Sequence, residues 1–122
     1  MILADTSIWV DHLRGRETPL IGLLATGQVM VHPFVVGEIA LGHLPRRAET
    51  IDSLKLLPTS IVAQHEEVLE FLDRHALHGA GIGWVDAHLA ASTRLTNRLQ
   101  LWSRDRRLAG VARALDIAAD LD

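Results

Sequence analysis

At 122 residues, with a net charge of −3 and no cysteine, the chain has the size of one domain and neither disulfides nor thiolate metal sites. Its 48% hydrophobic content is too high for a disordered chain, and no apolar run approaches the roughly 20 residues of a membrane span. The acidic balance argues against a protein that coats nucleic acid without specificity, and the lack of cysteine fits a reducing cytoplasm.

Ile2 to Ala4 read as a short buried strand that ends at Asp5-Thr6-Ser7, residues suited to helix capping. The opening has no basic segment, so no signal peptide is expected. Ile8 to Leu13 continue as a helix, and Pro19 to Ala25 as a second one stopped near Gly27. Gln28 to His32 form a second strand, and Pro33 starts a helix that runs to about Gly42. A helix at Arg46 to Leu54 leads into a brief strand at Lys55 to Leu57, closed by Pro58. Gln64 to Leu77 form a helix with Val68, Leu69, Leu72 and Ala76 at core spacing. The glycine-rich Gly79 to Gly83 is a flexible connection, which by its composition can move. A helix from Trp84 to Leu95, a strand from Leu99 to Trp102, a helix from Arg104 to Ala114 and a last strand at Ile117 to Ala119 complete the chain. Strands and helices alternate, so the connections are crossovers and the sheet is parallel. The expectation is an α/β fold, one domain over residues 1–122 with no linker.

In an open parallel sheet, sites form where the strands end at their carboxyl side. Asp5 follows the first strand, and Glu38 lies one to two turns into the helix after the second. Asp86 lies in the first turn of its helix, and the strand ending at Trp102 delivers Ser103 and Asp105 to the same edge. Each acid has a local explanation as well. Asp5 can cap a helix, Asp86 and Asp105 can answer helix dipoles, and Glu38 can face solvent. Together they form a cluster whose repulsion calls for a hard divalent cation, Mg²⁺ or Mn²⁺, and whose natural chemistry is in-line attack on a phosphodiester.

Four segments in order, Ile2-Leu3-Ala4-Asp5-Thr6-Ser7-Ile8-Trp9, Val36 to Gly42, Trp84 to Ala91 and Leu101 to Leu108, resemble the acidic motifs of PIN domains, above all the VapC-type toxins of bacterial toxin–antitoxin pairs. The resemblance implies a three-layer α/β/α sandwich with a short central parallel sheet. It implies a Mg²⁺-dependent endoribonuclease that cleaves cellular RNA, forms a homodimer and is inhibited by a cognate VapB-type antitoxin. It makes Asp5, Glu38, Asp86 and Asp105 the metal-binding acids, and Thr6 and Ser103 their polar neighbours; Ser103 stands where the family often has Thr.

Eleven of the twelve basic residues are Arg, whose planar fork suits phosphate. Arg104, Arg106 and Arg107 flank Asp105 and are the nearest candidates, with Arg14, Arg16, Arg46 and Arg47 further off. Trp9 and Trp102 read as core, and Trp84 as partly exposed. The seven His offer no convincing ligand spacing, and the glycines lack the Lys-Ser/Thr ending of a phosphate loop. A receiver domain needs an Asp and a Lys at strand ends where this chain has none, and a dehalogenase-like phosphatase needs Asp at position 7, which is Ser. The remaining alternative is a degenerate PIN fold that binds RNA or antitoxin without catalysis.

Overall fold

A computed structural model describes residues 1–16 and 18–121. Three short strands, β1 (Ile2–Ala4), β2 (Val29–Met30) and β3 (Gln100–Trp102), pair in the order β2-β1-β3, all parallel. In register, Leu3 lies between Met30 and Leu101, and Ala4 lies opposite Trp102. Helices pack on the sheet and on each other to give the α/β/α sandwich. This explains the unbroken apolar character of β1, since a strand covered on both faces has no polar side to show. The core joins Leu3, Ala4, Leu101 and Trp102 to Ile8, Val35, Leu89 and Leu108.

The helices are α1 (Thr6–Leu13), α2 (Leu20–Ala25), α3 (Pro33–Ala40), α4 (Arg47–Lys55), α5 (His65–Arg74), α6 (Trp84–Leu95) and α7 (Arg106–Ala114). Most boundaries fall within a residue or two of those expected. Three expectations need correction. The brief strand at Lys55 to Leu57 does not form: Lys55 ends α4, Leu56 is exposed, and the parallel bridge to Val31 is made by Thr59, beyond Pro58 rather than before it. The helix expected to reach Leu77 ends at Arg74, and Ala76 turns into the left-handed region. On that helix Phe71 is buried with Val68, while Leu69 is 39% exposed. The last strand, Ile117 to Ala119, is reduced to one parallel bridge between Leu101 and Ala118.

Helix α6 is buried over seven consecutive residues, Ala87 to Thr93. Its run of small residues lets it lie close to its neighbours, and the hydroxyls of Ser92 and Thr93 are satisfied inside the protein, while His88 Nδ1 is buried without a partner. Thr93 Oγ1 donates to the Leu89 carbonyl, and Ser92 Oγ accepts from the Ala63 amide. Ser92 Oγ also meets His32 Nε2 at 3.2 Å. His32 Nδ1 accepts the amide of Phe34, so the ring proton sits on Nε2 and His32 caps α3 from within the core. Trp9 and Trp102 are core residues, and Trp84 is 41% exposed. Among the described residues no helix is long and apolar enough to cross a membrane.

Candidate active site

Asp5 sits where β1 stops, and its side chain is the N-cap of α1, with Oδ1 accepting the Ile8 amide at 3.2 Å. The chain turns there because Asp5 is extended while Thr6 onward is helical. The backbone amide of Asp5 still donates to the Trp102 carbonyl, which fixes the acid beside the end of β3. Asp5 is only 4% exposed, and both of its oxygens are held: Ser7 Oγ donates to Oδ1 at 2.5 Å, and Ser103 Oγ donates to Oδ2. Burial raises its pKa above the ordinary carboxylate value, opposed first by the Ser103 and then by the Ser7 hydroxyl.

Asp105 repeats the arrangement at the end of β3. It is the N-cap of α7, with Oδ1 accepting the Leu108 amide at 3.0 Å, and its own amide donates to Ser103 Oγ at 3.0 Å. Ser103 is thus a relay that accepts from the backbone of Asp105 and donates to the carboxylate of Asp5. Glu38 lies on an exposed part of α3, where Thr6 Oγ1 donates to its Oε1 at 2.6 Å. Asp86, in the first turn of α6, accepts the Gly83 amide on Oδ2 at 3.4 Å. The capping role expected of Asp5 is therefore real, and Asp105, expected as an acid near the start of its helix, is itself the cap of α7. Both roles coexist with the shared location.

That location is visible in the charge on Asp86. Its pKa is raised, first by burial and then by repulsion from Asp5, Asp105 and Glu38, with the Gly83 amide opposing. Three carboxylates from three separate segments therefore act on the fourth, Asp86. Among the described residues, no three acidic or histidine side chains already close around one point as metal ligands. Each carboxylate is turned toward a hydroxyl or an amide of its own. The donor set is nevertheless all carboxylate oxygen, which fits a hard divalent cation.

Beside the acids lies an open cleft of about 910 Å³, lined by Ser103, Arg104, Arg106, Arg107 and Arg113 with Trp102. Arg104 pairs with Asp11 at 2.8 Å and stands over the Trp102 ring, 5.5 Å from its centre. Arg104, and after it Arg16, holds Asp11 below the usual carboxylate range. Arg47 donates to the Ala40 carbonyl and Arg16 pairs with Asp11 beside Arg104, and neither lines the cleft. Two residues escaped the sequence reading. Ser7 was legible only as a capping residue, yet it holds Asp5. Arg113 lies seven residues, two helical turns, after Arg106, a spacing that places both on one face of α7.

The sequence of residues 2–114 matches the model of the PIN domain family. Two curated relatives, both called Ribonuclease VapC32, come from Mycobacterium tuberculosis strains CDC 1551 / Oshkosh and ATCC 25618 / H37Rv. Each is 40% identical over 124 aligned residues, which span 97% of this chain and the whole of the relative.

Proposed function

Because this chain belongs to the PIN-domain family, we propose that it is a metal-dependent endoribonuclease and the toxin of a toxin–antitoxin pair. The observation that carries the reading is the repulsion Asp86 feels from Asp5, Asp105 and Glu38, four acids brought together from separate segments. The 40% identical relatives, each called a ribonuclease, support RNA as substrate. Asp5, Glu38, Asp86 and Asp105 would hold Mg²⁺, with Mn²⁺ as a substitute. Bound there, the cation supplies a water of lowered pKa and charge neutralisation at the scissile phosphate. Asp5 is kept in one orientation by Ser7, Ser103 and the Ile8 amide, so its oxygens need no reordering. Thr6 does the same for Glu38. Arg104, Arg106 and Arg113 line the path along which the flanking phosphates of the RNA run. The products are a 5′-phosphate and a 3′-hydroxyl.

The toxin reading includes a homodimer, a VapB-type antitoxin as partner and the cytoplasm as its place of action. The experiment is cleavage of structured RNA by antitoxin-free protein with Mg²⁺. Activity abolished by EDTA and by Asp5→Asn is expected. Equal cleavage by the Asp5→Asn protein would assign the activity to a contaminant, and no cleavage by either would favour a non-catalytic RNA- or antitoxin-binding module.

A further inference from the structure

Arg107 lies in the first turn of α7, two residues after Asp105. Its guanidinium reaches the glycine loop ahead of α6, where Nη1 donates to the Gly81 carbonyl at 3.5 Å. The approach is close. A β-carbon on Gly81 would lie 2.9 Å from Arg107 Cδ, 3.1 Å from Nη1 and 3.2 Å from Nε. Gly81 also has φ +81, a conformation that residues with a β-carbon rarely adopt. Two residues later the Gly83 amide donates to Asp86. A continuous path therefore runs from the helix that Asp105 caps, through Arg107 and the backbone of residues 81–83, to the carboxylate of Asp86.

We propose that Arg107 is a positioning residue that ties the starts of α6 and α7 together and so sets Asp86 relative to Asp105. Repulsion supplies the need, because Asp105 is one of the charges acting on Asp86. Packing against β3 anchors the bodies of both helices, and Ile82 packs on the core, but Gly79, Gly81 and Gly83 leave the rest of the segment leading into the first turn of α6 without side chains to brace it. An arginine bridges this gap well, since its long stem carries a rigid planar fork that can lie flat along a bare backbone. Gly81 is then required twice over, for its conformation and for the room it leaves. The consequence for metal binding rests on the four-acid site proposed above, whereas the strut itself does not.

Gly79 separates the two requirements. It has φ +77 but open space around its absent β-carbon, so Gly79→Ala carries the backbone strain without the collision. The experiment compares Arg107→Ala, Gly81→Ala, Gly79→Ala and the Arg107→Ala/Gly81→Ala pair, with Arg107→Gln in reserve should the alanine variant fold poorly. Three readouts are taken: amide hydrogen exchange over residues 80–86 in metal-free protein, the Mn²⁺ dissociation constant, and the salt dependence of RNA binding in EDTA. Arg107→Ala and Gly81→Ala should each speed exchange and weaken Mn²⁺ binding roughly tenfold, the low end for residues that support metal ligands. Gly79→Ala should stay near the native affinity, and the double variant should be no worse than Gly81→Ala alone. The salt slope of Arg107→Ala should equal that of the native protein. A slope lower by about 0.7 would make Arg107 a phosphate contact and overturn the proposal. Unchanged exchange over residues 80–86 in Arg107→Ala, or losses that multiply in the double variant, would overturn it as well. Failure of every protein to bind Mn²⁺ would remove the metal-site reading, while exchange would still decide the strut.

Discussion

Thr6 Oγ1 donates a 2.6 Å hydrogen bond to Glu38 Oε1 and so joins the first turn of α1 to the second turn of α3. Glu38 is exposed and comes from a helix that follows a different strand, so this hydroxyl is what orients it toward the other acids. Thr6→Val keeps the shape of the side chain and removes the donor. RNA cleavage should fall about tenfold, the scale of losing one outer contact to a metal ligand. The melting temperature should hardly move, because the pair is at the surface. Thr6→Ser should restore the rate, and a Thr6→Val enzyme with native kcat/KM would show that Glu38 needs no such guide.

Asp5→Asn should stabilise the metal-free protein while disabling it. Burial raises the folded-state pKa of Asp5, so the ionised form is disfavoured by folding. The sign follows from linkage: the stability associated with a raised carboxyl is present at low pH and is lost as pH rises through the folded pKa. At pH 7, above the ordinary carboxyl value of 3.8, the native protein bears that loss and the amide does not. Asn still caps α1 through its oxygen. Thermal melting in EDTA at pH 7 should therefore give a higher midpoint for Asp5→Asn, with cleavage down at least about 100-fold. A lower midpoint would mean that the Ser7 and Ser103 hydrogen bonds outweigh the cost of burying the charge.

Metal binding should release protons, because it draws Asp86 into its ionised form. Asp86 is raised by burial and by its three acidic neighbours, and a cation binds only the ionised form. Mn²⁺ affinity should rise with pH from the acidic side. It should level off only above the ordinary carboxylate range. Calorimetry in buffers of different ionisation enthalpy reads the protons directly, and heats independent of buffer at every pH tested would contradict the raised pKa.

His32 should make the fold acid-sensitive. It is fully buried, and burial, then the charge on His88, lowers its pKa from 6.5 to about 4. Below 6.5 the unfolded chain takes up a proton here that the folded protein refuses until about pH 4. Stability present above 6.5 is lost progressively across that window, by up to roughly 3 kcal/mol. Urea midpoints measured from pH 7 to 4 should fall steeply for the native protein. They should fall less for His32→Asn, which keeps an acceptor for the Phe34 amide, although its absolute stability is lower. Parallel curves would assign the acid sensitivity elsewhere.

Arg106 should act through charge alone. It lines the cleft on the face of α7 that also carries Arg113. Arg106→Ala should lower the log–log salt slope of RNA binding by about 0.7 without altering Mn²⁺ affinity. An unchanged slope would place the RNA elsewhere.

The strands were legible where both faces are covered. Ile2-Leu3-Ala4 and Leu101-Trp102 are continuous apolar runs that end at polar capping residues, and both formed as expected. Lys55-Leu56-Leu57 looked similar and misled, because Leu56 is an exposed residue at a helix end rather than a core residue. The pairing nearby is made by Thr59 through a single bridge, too short for periodicity to register. The acids could be placed on one edge from the alternation of strands and helices. Their partners could not, since a hydroxyl such as Ser7 that holds a carboxylate two residues away looks in sequence like any capping serine. The Arg107–Gly81 contact joins residues 26 apart and leaves no pattern in either segment.

The relay through Ser103 also has a meaning in time. Asp5 and Ser103 are 98 residues apart, and β1 is the middle strand of the sheet, with β3 as one of its two partners. A ribosome adding about 5 to 20 residues per second takes roughly 5 to 20 s to cover that span. During that interval Asp5 has left the ribosome without Ser103, Asp105 or the neighbouring strand that positions them. A chain whose synthesis stops between α6 and β3 therefore holds Asp5, Glu38 and Asp86 without Ser103 or Asp105.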